Sequence, residues 1–385
     1  MAEVLFLDVP AIRARLEQRF RVYDVQADEN VVAFYVDAPK ETLETDFEAL
    51  KRDLKEVGLL PLLKYQGGEH AIYVLRNPVR TKRGWKANAI LFALTVLTTT
   101  VAGAFSAFSY YHHDFDVGSV TQWEYIRLVL AGDSLLLGFL TFALPLLLIL
   151  TVHEFGHFWM ARRHGMDASL PYFIPVPPFV GLNIGTFGAF ISMREPMPNR
   201  KALFDVGAAG PIAGFIVAVP VVLLGLFLMA AHPVTVTGND GSFSIGTPLI
   251  YDLLAMPFHL AGNTLIHPTA FAGWVGLFVT AINLLPAGQL DGGHVASAMF
   301  GERARFASYA AVLGLLALGI APMIGYAQYG YDGWLFFALL IGFLGIRHPP
   351  TLDGVTGIDR TRLIIGYATF AMGILCFTLV PVSGG

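Results

Sequence analysis

Residues 149–165, ILTVHEFGHFWMARRHG, place two histidines and a glutamate directly after a long apolar run. His153 and His157 are four residues apart, so on a helix both imidazoles lie on one face, where they can share a tetrahedral metal ion. Glu154 is offset by one residue and therefore flanks such a metal as a base for a bound water molecule. The H-E-x-x-H pattern thus predicts a hydrolytic metal site with His153 and His157 as ligands and Glu154 as the catalytic base.

Paired histidines at a helix end can also be interfacial side chains, because HFWMARRHG is the point where this helix would leave a membrane. Against that interpretation, a glutamate beside two histidines at membrane depth is costly unless it has a partner, and ionisable residues in membrane segments mark functional sites. We therefore prefer the metal site. His164, which follows two arginines, is interpreted as a solvated side chain.

A catalytic zinc ion has three protein ligands and one open position, so a third ligand must come from elsewhere in the chain. The candidate is Asp291 in residues 281–294, AINLLPAGQLDGGH, which we place at the end of an apolar helix that starts near Pro268. His294 is an alternative ligand. Asp291 is preferred because two histidines and one carboxylate form a common hydrolytic set, and because His294 would need the helix to turn further.

Asn283 lies two turns before Asp291 in an otherwise apolar stretch. Pro286 between them is expected to break the helix and to free a backbone carbonyl. An amide at this place can hydrogen-bond a substrate carbonyl or a developing oxyanion. The alternative is a buried asparagine that joins two helices by a hydrogen bond.

The elements that position these residues are predicted to be membrane helices. Of the 385 residues, 55% are hydrophobic and only 14% are charged, whereas soluble domains carry about 25% charged residues. The single cysteine, Cys376, excludes an intramolecular disulfide. A bilayer core about 30 Å thick requires roughly 20 apolar helical residues. Seven stretches are expected to span it: 88–108, 135–160, 204–230, 268–287, 306–326, 333–346 and 362–382.

The arginines and lysines predict the orientation, because cytoplasmic loops carry the excess of positive charge. With seven spans and the N-terminus inside, the outer segments hold one basic residue, Arg127, and the other 24 of the 25 fall inside. This distribution predicts a multi-pass protein of the cell membrane with its N-terminus at the cytoplasmic side. The spans bearing His157 and Asp291 then both run from outside to inside, so the active site is also expected at the cytoplasmic side.

Residues 1–80 are predicted to form a small cytoplasmic α/β domain. FRVYDVQA, VVAFYVD and HAIYVLR alternate as strands do, and ETDFEALKRDLKEVGLL has the apolar spacing of a helix. The domain shows no nucleotide-binding loop and no catalytic pattern, which favours a regulatory, oligomerisation or folding module. The remaining chain is divided into a linker with the first transmembrane helix (81–134), a catalytic core with a cytoplasmic hairpin region (135–295), and C-terminal transmembrane helices (296–385).

These motifs together resemble the site-2 protease family, intramembrane zinc metalloproteases that cut transmembrane segments of other proteins. The first family motif, H-E-x-x-H, is residues 153–157, and the third, G-x-x-x-N/S/G, is residues 210–214. The second, N-x-x-P-x-x-x-x-D-G, is matched by Asn283, Pro286, Asp291 and Gly292. The resemblance covers about residues 135–295 and implies a three-helix catalytic core.

For the site, the resemblance implies that His153, His157 and Asp291 bind one zinc ion, that Glu154 activates water, and that Asn283 assists at the substrate. Residues 170–211 look like the subgroup without a PDZ domain, and the outer loops 109–134 and 231–267 are too short for one. The expected partners are transmembrane protein substrates and the lipid bilayer, with no nucleic acid. Oligomeric state and substrate identity are not predicted.

A substrate helix must unwind before it is cut, because its carbonyls are hydrogen-bonded within the helix. Residues 185–193, GTFGAFISM, alternate small and large side chains and are predicted to form an edge strand that receives the peptide by strand addition. Gly185, Phe187, Gly188 and Phe190 are its expected substrate contacts. The alternative is a hairpin or re-entrant loop without substrate contact.

Two further expectations concern the same core. Gly207, Gly210 and Gly214 are predicted to permit close helix approach. A membrane metal transporter or metal sensor is the alternative to the protease, because such a protein can also place histidine and aspartate at facing helix ends. In that case Glu154 would be a dispensable neighbour or a further ligand.

Overall fold

A computed structural model describes residues 7–28, 31–39, 41–77, 84–177, 184–235, 244–346 and 348–383. Within these residues the chain is mostly helical, with a small sheet near the N-terminus. Two short two-stranded antiparallel sheets accompany the helices, and the first of them, a hairpin, precedes the longest helix of the described chain.

The N-terminal domain is a four-stranded antiparallel sheet with two helices. Its elements are α1 (Val9–Leu16), β1 (Arg21–Ala27), β2 (Val31–Asp37), α2 (Leu43–Glu56), β3 (Leu59–Gln66) and β4 (Glu69–Arg76). The strand order is β1-β2-β4-β3, so β1 and β3 are the sheet edges. Phe34, Phe47 and Ile72 are fully buried in the core between sheet and helices.

The three predicted strands and the predicted helix of this domain are confirmed. The structure adds α1 and β3, which were not predicted, and the predicted extension of the helix through Leu60 is wrong, because α2 ends at Glu56. Gly58 adopts a positive φ of 73° immediately after α2, which ends the helix and lets the chain turn back as β3. Pro61 lies within β3, which is an edge strand of this sheet, where proline is tolerated.

The rest of the chain is built from apolar helices. The first part comprises α3 (Lys86–Tyr111), α4 (Gln122–Val129), α5 (Asp133–Gly138), α6 (Leu144–Arg163), β5 (Tyr172–Pro175), β6 (Thr186–Phe190) and α7 (Arg200–Ala231). A π-helical turn at Phe139–Ala143 joins α5 to α6 without interrupting the helix. The second part comprises β7 (Ser244–Ile245), α8 (Leu249–Ala255), α9 (Pro268–Asn283), α10 (Asp291–Phe300), α11 (Ala304–Ile320), α12 (Gly333–Leu344), α13 (Arg360–Cys376) and β8 (Val382–Ser383).

By length and composition, four helices of the described chain can cross a membrane: Lys86–Tyr111, Asp133–Arg163, Arg200–Ala231 and Asp291–Ile324. The chain is therefore a membrane protein. The apolar helices Pro268–Asn283 and Gly333–Phe343 are shorter. Since α9 contacts α6, α7 and α13, and most of its residues are buried, it lies inside the helical assembly.

One predicted boundary is wrong and bears on the site. Asp291 does not end the helix that starts at Pro268; α9 ends at Asn283, and Asp291 is the first residue of α10. Pro286 lacks the N–H needed to continue the helix, and its carbonyl accepts a hydrogen bond from Ser308 Oγ at 3.0 Å. Gly288 then adopts φ 55°, which reverses the chain before Asp291.

The last predicted span is also shorter than expected. The stretch 362–382 was predicted to be one helix, but α13 ends at Cys376. Residues after it turn into β8, which pairs antiparallel with β7. The apolar residues at 377–382 therefore do not extend the helix.

Candidate active site

The helix α6 carries His153, Glu154 and His157, and all three side chains are buried. The Nε2 atoms of the two histidines lie 3.2 Å apart, and the rings are inclined by 68°. The one-turn spacing therefore brings both imidazoles to the same point, as the sequence predicts.

Asp291 reaches this point from a different helix. Its Oδ2 lies 3.2 Å from His153 Nε2 and 3.3 Å from His157 Nε2. Two ligands each about 2.1 Å from a tetrahedral zinc ion are roughly 3.4 Å apart. The observed separations and the donor set of two imidazoles and one carboxylate fit a zinc ion, so these three residues could hold one.

The orientation of His157 is set by α7. Its Nδ1 lies 2.7 Å from the carbonyl oxygen of Val206, which can only accept a hydrogen bond. Nδ1 therefore carries the proton, and the lone pair of Nε2 points toward Asp291 and His153. A histidine fixed in this way is preorganised to bind a metal.

Two glycines of α7 make room for the imidazoles. A Cβ atom at Gly210 would lie 2.0 Å from His157 Nε2, and one at Gly214 would lie 3.0 Å from His153 Nδ1. A Cβ atom at Gly207 would lie 2.7 Å from the Cβ of His294. These glycines were predicted to permit close helix approach, and the structure shows that Gly210 and Gly214 admit the two histidine rings.

Asn283 contacts the same cluster from the end of α9. Its Nδ2 lies 3.2 Å from His153 Nε2, the atom that also faces Asp291. Although α9 ends two turns earlier than predicted, the turn 284–290 returns the chain so that both side chains meet at one nitrogen. The amide is therefore placed beside the metal-binding group rather than at a remote helix contact.

Glu154 lies next to the two histidines, and its helix α6 contacts β6 of the hairpin formed by β5 and β6. The backbone amide of Ile191, the residue that follows β6, interacts electrostatically with the Glu154 carboxylate. The base predicted from the sequence thus lies close to the segment that was predicted to bind substrate.

The predicted substrate strand exists and is one half of a two-stranded hairpin. The strands pair antiparallel, with Tyr172 opposite Phe190. Phe187 is 68% exposed and Phe190 is 49% exposed. Gly185 instead packs on α3, where its carbonyl accepts a hydrogen bond from Thr98 Oγ1 at 2.7 Å. Gly188 adopts φ 95°, a conformation that favours glycine.

His164 is not a solvated side chain, and that prediction was wrong. Its Nε2 lies 2.9 Å from Asp205 Oδ2, and Asp205 also accepts hydrogen bonds from Arg362 Nε and Nη2 at 2.7 and 2.6 Å. Arg362 further pairs with Asp359, and its backbone N–H and guanidinium lower the pKa of that carboxyl group. This network ties the end of α6 to the starts of α7 and α13.

Asp205 and Arg362 were not predicted to have a role. The sequence does contain a signal for Asp205, because it is a charged residue within the apolar stretch that begins at Ala202. His294, the alternative ligand, lies outside the metal-binding group of His153, His157 and Asp291. Its ring packs edge-on against that of His348, with the centroids 4.6 Å apart.

Comparison with known proteins gives an independent result. Residues 141–323 match the family model of Peptidase family M50. The chain is 37% identical over 266 residues to "Probable zinc metalloprotease EGY1, chloroplastic" of Arabidopsis thaliana, which covers 65% of this chain and 45% of that protein. It is 36% identical over 198 residues to the protein of that name from Oryza sativa subsp. japonica, covering 49% and 33%.

A third relative is "Probable zinc metalloprotease EGY2, chloroplastic" of Oryza sativa subsp. indica, with 32% identity over 233 residues, or 59% of this chain and 40% of that protein. The chain thus spans less than half the length of these curated relatives. No solved structure matches the chain.

Proposed function

We propose that the chain is a site-2 protease, an intramembrane zinc metalloprotease, because its residues 141–323 match the family model of Peptidase family M50. It hydrolyses a peptide bond within or near the transmembrane segment of membrane-protein substrates. The observation that carries the proposal is the convergence of two imidazoles, one carboxylate and a flanking buried glutamate at the end of a membrane helix.

In this proposal His153, His157 and Asp291 hold one zinc ion. Bound zinc lowers the pKa of a coordinated water toward ~7 and polarises the substrate carbonyl. Glu154 takes the proton from the attacking water and later delivers it to the leaving amine. The Asn283 amide donates a hydrogen bond to the carbonyl oxygen as negative charge develops on it.

The β5–β6 hairpin is proposed to hold the substrate in an extended conformation. In a two-stranded sheet each strand has one open edge, and β6 is followed directly by Ile191, which contacts Glu154. A peptide added along β6 is thereby led to the catalytic base. Phe187, Gly188 and Phe190 are the proposed contacts, whereas Gly185 serves chiefly to seat the hairpin on α3.

Phe187→Ala tests this strand. We expect KM for a single-span substrate to rise about tenfold with kcat little changed, because an exposed aromatic ring that substrate covers contributes roughly 1.5 kcal/mol or more. Trp123→Ala is the matched control, since Trp123 is 79% exposed on α4. Equal KM values for Phe187→Ala and the control would show that β6 does not bind substrate there.

The proposed architecture has seven spans, formed by α3, α5–α6, α7, α9, α11, α12 and α13, with α6, α7 and α9 as the three-helix catalytic core. The charge distribution supports a cytoplasmic N-terminus and a cytoplasmic active site, in a protein of the cell membrane. The word chloroplastic in the relatives' names describes those plant proteins. The proposed division of the chain is 1–80, 81–134, 135–295 and 296–385.

Metal removal tests the function directly. We expect the purified protein in detergent to bind one zinc ion and to cut single-span substrates within or close to their apolar segment. Chelation should reduce cleavage below detection, and added zinc should restore it. The reason is that His153, His157 and Asp291 contribute to the reaction only by binding the metal ion. Zinc transport across vesicles without any cleavage would instead favour the transporter.

A further inference from the structure

Residues 345–346 and 348–355, which we name the linking segment, lie between α12 and α13 and contact two distant parts of the molecule. Its backbone extends the N-terminal sheet at the β3 edge. The Leu63 N–H donates to the Leu352 carbonyl at 2.7 Å, and the Gly354 N–H donates to the Leu63 carbonyl at 3.3 Å. The Leu352 side chain is 6% exposed and belongs to the core of the N-terminal domain.

The opposite edge of the linking segment is paired with the residues that precede α7. The Leu352 N–H donates to the Met197 carbonyl at 2.9 Å, and the Asp353 N–H donates to the Pro198 carbonyl at 3.0 Å. An ion pair between Lys201 and Glu44, 2.7 Å apart, spans the same interface. The linking segment therefore fastens the N-terminal domain to the start of α7.

The linking segment also acts on the C-terminal end of α10. Asp353 is 1% exposed and interacts electrostatically with the guanidinium of Arg200. Arg200 in turn donates hydrogen bonds to the carbonyls of Ala298 and Met299 at 2.9 and 3.1 Å. These carbonyls belong to the last turn of α10, which has no helical N–H to pair with them.

The beginning of α10 is contacted by the other end of the linking segment. The His348 ring packs against His294, one turn after Asp291. Gly345 packs closely against Gly288 in the turn before α10. A Cβ atom at Gly288 would lie 2.4 Å from the Gly345 carbonyl oxygen. The linking segment thus contacts the start of α10 directly, and it reaches the end of α10 through Arg200, which interacts with Asp353.

The position of Asp291 depends on tertiary contacts because it is the first residue of α10. Leu290 makes no side-chain cap there, the first turn of a helix has backbone N–H groups without helical partners, and the packing of α10 on α7 involves the helix as a whole. We infer that the N-terminal domain, acting through the linking segment, positions Asp291 for metal binding. Leu352 and His348 are positioning residues that touch neither metal nor substrate. This inference rests on the proposed zinc site.

The test measures zinc affinity as well as cleavage, in the full-length protein. Leu352→Asp places a charge in the core of the N-terminal domain and should release the linking segment; we expect the zinc Kd to rise about tenfold or more, as for residues that orient metal ligands. His348→Ala keeps the docked domain and should raise the Kd less. Val57→Asp, at a position 48% exposed in the same domain, is the control.

Because Leu352→Asp could lose zinc by misfolding, a charge exchange provides a second test that does not place a charge in the core. Lys201→Glu alone should raise the zinc Kd, and the double variant Lys201→Glu with Glu44→Lys should restore it. If wild type binds zinc and every variant binds it with wild-type affinity, the inference is wrong while the proposed protease stands. If wild type binds no zinc at all, both are overturned.

Discussion

Glu154→Gln is expected to retain one zinc ion per chain and to lower kcat by roughly 10²- to 10⁴-fold, the range that a positioned general base contributes. Glutamine has the shape of glutamate, and its amide oxygen can still face the Ile191 backbone amide. It cannot take a proton from water. The measurement pairs zinc content with fragment mapping on a single-span substrate.

Glu302→Gln is the control for this variant, because Glu302 is exposed in the turn between α10 and α11. It should cleave as wild type does. Cleavage by Glu154→Gln at the wild-type rate would remove Glu154 from the mechanism. Loss of zinc from the same variant would instead identify Glu154 as a ligand, as the transporter hypothesis allows.

The convergence of His153, His157 and Asp291 was predictable because it depends on two simple features. A four-residue spacing on a helix fixes the relation of the histidines, and a catalytic zinc site needs a third donor. The wrong boundary at Asp291 did not spoil the prediction. A break at Pro286 followed by a turn returns the aspartate to Asn283, so the site forms although the two residues lie on different helices.

The linking segment could not be predicted from sequence. Leu352 is a single apolar residue in a short proline-rich stretch, and nothing local shows that it completes the core of a domain almost 300 residues earlier in the chain. The pairing of Leu63 with both Leu352 and Gly354 uses backbone atoms, which every residue carries. Such contacts are set by topology rather than by residue type.

The glycines of α7 show a different limit. Their spacing is typical of close helix packing, and the sequence favours that interpretation. At Gly207 it is confirmed, since a Cβ atom there would lie 3.2 Å from the backbone oxygen of Asp291 on α10. At Gly210 the neighbour is the imidazole of His157, so the same residue type serves the metal site. Only the register between α6 and α7 distinguishes the two cases.

Gly210→Ala should therefore be among the most damaging single-methyl changes in the protein. The added Cβ would lie 2.0, 2.4 and 2.5 Å from three atoms of the His157 ring, so the ring must move. Movement breaks the Nδ1–H hydrogen bond to Val206 and withdraws Nε2 from Asp291. We expect zinc affinity to fall by about 100-fold, the upper end of the effect of residues that orient a ligand, with cleavage lost in proportion.

Gly314→Ala is the matched control, because Gly314 lies in the apolar helix α11 and a Cβ atom there meets no other atom within 4 Å. It adds the same methyl group to a membrane helix and should bind zinc and cleave as wild type does. If excess zinc restores cleavage by Gly210→Ala, the defect lies in metal affinity, as expected. Wild-type zinc affinity in Gly210→Ala would mean that His157 does not bind the metal in the orientation described, and that a different donor completes the site.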